Sequence, residues 1–133
     1  MSVLKKNSAR QRDQERARII WLLTTAKAVT STLLGKLTLA EQYDVGTRAD
    51  DIAEVGALVA HLPPPDLADT LEALPSAERH ALWRLVQDPE RGQVLLEASE
   101  NVWDDLIDEM SDRDILDALQ TLDIDEQIYL VQH

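Results

Sequence analysis

Residues 64–133 read PPDLADTLEALP, SAERHALWRLVQ, DPERGQVLLEA, SENVWDDLIDEM, SDRDILDALQTL and DIDEQIYLVQH when the chain is cut before Pro64, Ser76, Asp88, Ser99, Ser111 and Asp123. The cuts fall 12, 12, 11, 12 and 12 residues apart, and each opens an amphipathic segment. Serine and aspartate accept hydrogen bonds from the free N–H groups of a helix's first turn, so these positions are expected N-caps. Ser111 with Asp114 and Asp123 with Glu126 have the capping-box spacing; Arg79 and Arg91 stand at the same offset, the latter after Pro89.

Between the caps the apolar residues recur at helical steps: Leu67 and Leu71, then Ala81, Leu82, Leu85 and Val86, then Val94, Leu95 and Leu96. Val102, Trp103, Leu106 and Ile107 continue the series, followed by Ile115, Leu116 and Leu119, and by Ile128, Leu130 and Val131. Each segment allows two or three turns, and helices that short do not stand alone because nucleation is costly. Stacking against neighbours removes the difficulty, and no strand-like alternation competes. The expected fold is all-α, a superhelix of short stacked helices, with a beat too short for the two-helix repeats of roughly 33–47 residues.

Upstream, Ile19, Leu22, Leu23, Ala26, Thr30, Leu33, Leu34 and Leu37 fall at three- and four-residue steps, which predicts a longer helix from about Ser8 to Leu34. Residues 38–49 read as a connector, with a short helix from Leu39 to Tyr43. The expected division is therefore a helical arm and connector over 1–49 and a superhelical domain over 50–133.

The whole chain of 133 residues carries a formal charge of −12. Residues 1–36 hold eight basic and two acidic side chains, +6, which leaves −18 on residues 37–133. So acidic a body argues against nucleic-acid binding and favours cations or basic partners. The basic stretch over residues 5–18 allows two readings, a contact with anionic lipid or a solvated helix face. With no cysteine, a disulfide scaffold, a cysteine zinc site and a thiol nucleophile are excluded. The run Ile19–Leu23 is too short to span a bilayer or serve as a signal-peptide core, so a cytosolic location is expected.

The stretch from His61 to Val86, HLPPPDLADTLEALPSAERHALWRLV, resembles the start of the cytosolic N domain of the MgtE family of magnesium transporters, and the resemblance runs through the capped helices to His133. The resemblance implies a right-handed superhelical domain on the cytoplasmic side of the cell membrane, regulatory and not enzymatic. It further implies CBS domains and a membrane pore domain in the same full-length protein, assembled as a homodimer, with the repeat array continuing past His133. In that family, magnesium bridges acidic surfaces of the N and CBS domains and favours the closed pore.

Magnesium is a hard cation held by few carboxylates and several waters. The carboxylates here are densest from Asp104 to Asp117 and at Asp123, Asp125 and Glu126. The family's acidic motif matches Ser111–Leu119, so Asp114 and Asp117 carry over as candidate magnesium ligands. Arg113 takes the place of one acid, with Asp112 one position early; Asp112, Asp125 and Glu126 complete the candidate set. For each residue alone, a solvated face or a helix cap is the competing explanation.

His61, His80 and His133 do not share a zinc-ligand spacing, and the four glycines form no phosphate loop. Nothing marks a catalytic residue. Trp21, Trp83 and Trp103 read as core or interface anchors. The alternative function is an α-solenoid adaptor or scaffold for a protein partner, with the torque-ring protein of the flagellar switch as a look-alike.

Overall fold

The computed structural model describes residues 2–25, 27–35 and 45–132, which form nine helices and no strand. They are α1 (Ser2–Thr25), α2 (Lys27–Leu33), α3 (Val45–His61), α4 (Pro64–Ala73), α5 (Ser76–Leu85), α6 (Asp88–Glu97), α7 (Glu100–Glu109), α8 (Asp112–Gln120) and α9 (Ile124–Gln132). The all-α expectation holds. The short helix expected over Leu39–Tyr43 lies outside the described residues, and α3 begins at Val45, inside the expected connector.

The starts of α4 to α9 are each 12 residues apart, and local geometry explains the interval. Helices α4 to α7 have 10 residues each. Two extended residues follow each of them. The first is the C-cap (Leu74, Val86, Ala98, Met110), whose N–H bonds to the carbonyl three residues back at 3.1–3.3 Å. The second is the next helix's N-cap (Pro75, Gln87, Ser99, Ser111). Ser111 and Asp123 make the reciprocal capping boxes that the spacing predicts. Ser76 and Asp88 instead occupy the first helical position, one residue inside the expected cap, because Pro75 and Gln87 take the extended conformation.

Arg79 and Arg91 do not serve the N-terminus of their own helix either. Arg79 Nε donates to the Leu71 carbonyl at 2.8 Å and Nη2 to that of Leu74 at 3.1 Å. Arg91 repeats this 12 residues on, to Trp83 at 3.2 Å and Val86 at 3.1 Å. Gln127 gives the same pair of bonds to Leu119 and Leu122, at 2.8 and 3.1 Å, and Trp103 Nε1 donates to Leu95. In each case the fourth residue of one helix reaches eight residues back to satisfy a carbonyl left orphaned by the end of the previous helix. A cationic or N–H donor there also meets the negative end of that helix's dipole.

The helices form two stacks. Helix α1 lies on α4, α4 on α6 and α6 on α8; α2 lies on α5 and α5 on α7. Ile19, Leu22 and Leu23 of α1, Val29 of α2 and Val55 and Val59 of α3 share one continuous core with Leu67, Leu71, Leu82, Val94, Val102 and Leu106. The single helix expected from Ser8 to Leu34 is two. The buried Thr30 hydroxyl donates to the Leu23 carbonyl at 2.8 Å, whereas seven residues of straight helix would separate them by roughly 10 Å. Gly35, at φ +72°, closes α2 in the left-handed conformation that glycine tolerates best.

Trp83 and Trp103 are core residues, as their apolar faces suggested, but Trp21 is 53 % exposed and lies beneath the Arg18 guanidinium. Leu116, Ile128 and Val131, counted among the helix-face residues of the sequence, are exposed as well.

Candidate functional site

The chain's charge is resolved differently at the two ends of the stack. At the α1 end, Arg12 pairs with Asp66 at 3.2 Å, and Arg16 with Asp66 at 3.1 Å and Asp69 at 3.3 Å. Arg16 also pairs with Asp13, and Arg18 bridges to Glu54. The hydrogen bond from Arg18 lowers the pKa of Glu54, and Glu54 in turn raises that of Arg18, against a small opposing effect of burial. Three arginines of the basic segment are thus matched to acids of α1, α3 and α4. The Lys5 and Lys6 side chains lie outside the described residues.

Between α5 and α7 a second set of charges is tied internally. Asp105 accepts hydrogen bonds from Arg79 Nη1 at 2.8 Å and from the Ser76 hydroxyl at 3.0 Å, and His80 Nε2 lies 3.0 Å from it. His80 Nδ1 stands 3.2 Å from Glu109. Burial of Asp105 works to raise its pKa, but the hydrogen bonds from His80 and Ser76, the charge of His80 and the Arg79 bond together outweigh it and hold the carboxyl below its usual range. The Ser76 hydroxyl donates to Asp105 instead of to His80, so the three side chains do not form a nucleophile relay. The dense carboxylate run from Asp104 to Asp117 therefore loses one member to a structural clasp.

At the α7–α9 end the acids are exposed. Asp104, Asp108, Asp112, Asp117 and Asp125 face solvent, and among the described residues no cation pairs with them. The candidate ligands fall into two groups. Asp112, Asp117 and Asp125 are exposed carboxylates. Asp114 and Glu126 are engaged as caps: Asp114 accepts from the Ser111 N–H at 3.4 Å, while Glu126 accepts from Asp123 N–H at 3.1 Å and from Gln93 at 3.2 Å. Asp114 also borders a polar groove with His80, Arg84, Arg91 and Glu109. Among the described residues no three metal-ligating side chains converge. The donor set suits a hydrated magnesium ion held by one or two carboxylates and does not suit an all-protein cage.

The Arg79–Asp105–His80–Glu109 clasp is not evident from motif spacing. Its signal is the register: with a 12-residue beat and stacking of alternate helices, residues about two beats apart, such as Arg79 and Asp105, face one another.

Comparison with protein families matches residues 62–133 to the MgtE intracellular N domain. No curated protein and no solved structure matches the chain. Among the described residues no helix is long and apolar enough to cross a membrane. An N domain of this family is a regulatory, intracellular part of a magnesium transporter and is not the part of a known enzyme. The match covers more than half of the chain and coincides with the repeat that begins at Leu62, so the chain belongs to the MgtE N-domain family.

Proposed function

We propose that this domain senses intracellular magnesium through the exposed acids of α7 to α9, and that the ion bridges this face to CBS domains of the same full-length protein, favouring the closed pore of a homodimeric transporter. Family membership over residues 62–133 is the observation that carries the reading. The distribution of charge supports it: the basic segment is matched to α3 and α4, while the far end of the stack keeps unpaired carboxylates. Asp112 and Asp117 offer free oxygens, and Asp114, Asp125 and Glu126 surround them along the chain. A hydrated ion shared between two domains would take half of its protein ligands from each. Anionic-lipid contact by residues 5–18 would have to compete with the pairs made by Arg12, Arg16 and Arg18.

The test is a thermal-stability titration with magnesium at constant ionic strength. The isolated domain holds the ion weakly, with an affinity of about millimolar expected for such open sites. Saturating magnesium raises the melting temperature, and Asp114→Asn with Asp117→Asn reduces the rise. Asp50→Asn with Glu72→Asn, both exposed, serves as the control. Asp66 and Asp69 are unsuitable for that purpose because they hold Arg12 and Arg16. Identical responses from wild type and both double variants would leave only diffuse screening and remove the local site.

A further inference from the structure

The last two helices carry an apolar surface that nothing among the described residues covers. Ile124 is 73 %, Leu116 57 % and Val131 74 % exposed, and Ile128 is half exposed. Ile124, Ile128 and Val131 stand four and three residues apart, which places them on one stripe of α9. Beside that stripe a groove of about 140 Å³ opens between α7, α8 and α9, bordered by Trp103, Ile107, Met110, Ile115, Leu119 and Val131. Small-molecule sites usually occupy roughly 300–1,000 Å³, so this volume suits the anchoring side chains of a macromolecule. Contiguous exposed apolar area of this kind marks an interaction surface.

The charge around the surface selects the partner. Asp104 lies one helical turn before Ile107, Asp112 one turn before Leu116, and Asp125 one turn before Ile128; all three acids are exposed. An apolar centre is thus rimmed by carboxylates on each of its three helices. A partner with acids at its edge would be repelled, and one with lysines or arginines would be drawn in and oriented. We infer that this face binds a basic amphipathic helix, whose apolar residues at i, i+3, i+4 and i+7 enter the groove and whose cations meet Asp104, Asp112 and Asp125. The inference is independent of magnesium sensing.

The probe is a synthetic helical peptide of about 18 residues with leucines on one face and lysines on the other, compared with a peptide in which every lysine is glutamate. Binding is measured by fluorescence anisotropy in buffer containing EDTA, so that a negative result leaves the magnesium reading untouched. The lysine peptide is expected to bind and the glutamate peptide to fail. Val131→Glu, at a position exposed enough to spare the fold, should weaken binding about tenfold or more by placing charge in the apolar centre. Asp104→Asn with Asp112→Asn and Asp125→Asn should weaken it and flatten its dependence on salt. Circular dichroism checks that each variant stays folded. Equal binding of the two peptides, or indifference to Val131→Glu, overturns the proposal. So does a dimer, seen in sedimentation and lost in Val131→Glu, that excludes the lysine peptide; the occupant would then be a second copy of this chain.

Discussion

Gly92→Ala pits two physical effects of opposite sign against each other. Gly92 lies inside α6, where alanine has the higher helix propensity by roughly 0.8–1.0 kcal/mol. By local propensity alone the substitution stabilises. The packing says otherwise: a Cβ at residue 92 would lie 2.5 Å from the Ala118 carbonyl oxygen, 2.5 Å from Thr121 Oγ1 and 2.9 Å from Leu122 Cγ. The first of these is backbone, and Ala118 is itself buried, so α8 must move away as a unit. Overpacking of this kind costs about 1–3 kcal/mol. Allowing for the propensity gain, the net loss is about 1–2 kcal/mol, a fall in melting temperature of roughly 3–8 °C. Gly56→Ala supplies the comparison, since residue 56 is also inside a helix and its new methyl group would meet nothing within 4 Å. It should stabilise by roughly 0.5–1 kcal/mol. Urea denaturation of both variants gives the two signs side by side. A Gly92→Ala protein as stable as wild type, or more so, would refute the close approach of α6 to α8.

Ser111→Ala should cost about 1 kcal/mol in urea denaturation because it removes half of a capping box, whereas Ser99→Ala should change stability by less than about half of that. The Ser99 hydroxyl occupies the same position before α7 but is buried without a hydrogen-bond partner among the described residues. The lowered pKa of Asp105 sets a pH dependence: its contribution to stability is present above the ordinary value of 3.8 and is lost as pH falls through the lower folded-state value. Asp105→Asn should therefore narrow the stability difference between neutral and acid pH, as measured by denaturant titration at each pH. Co-sedimentation with anionic vesicles should be weak and vanish at about 150 mM salt, where the screening length is near 8 Å. Binding that persists in salt would show apolar insertion instead.

The all-helical class and the 12-residue beat are legible from residues 64–133, because the information is local. A cap, two or three turns of apolar residues and a stop recur within each segment, and the reciprocal boxes at Ser111 and Asp123 follow from side chains three residues apart. A second beat is equally present but is hidden from a search for helix faces. Leu62, Leu74, Val86 and Leu122 lie on it and are buried, with Ala98 and Met110 partly so. Helical periodicity leaves these residues as ends or linkers, when the extended linker in fact drives a side chain into the core. The arginines at 79 and 91 serve the helix end behind them and not their own, since sequence offset alone does not tell whether a long side chain reaches forward or back.

Tertiary structure decided which charges remain available. Asp105 and Asp108 look alike in sequence, yet Asp105 is held by Arg79, Ser76 and His80 while Asp108 is exposed. Arg12 and Arg16 look like a surface for lipid until α1 is laid against α4 and meets Asp66. The exposure of Leu116, Ile128 and Val131 is likewise a property of the stack, because an apolar stripe has the same spacing whether or not a neighbour covers it. Local sequence determined the helices and their interval through backbone hydrogen bonding and capping, which act over a few residues. Their partners were set by the packing of alternate helices, which joins residues about two beats apart and so determines which acids and which apolar faces are left for function.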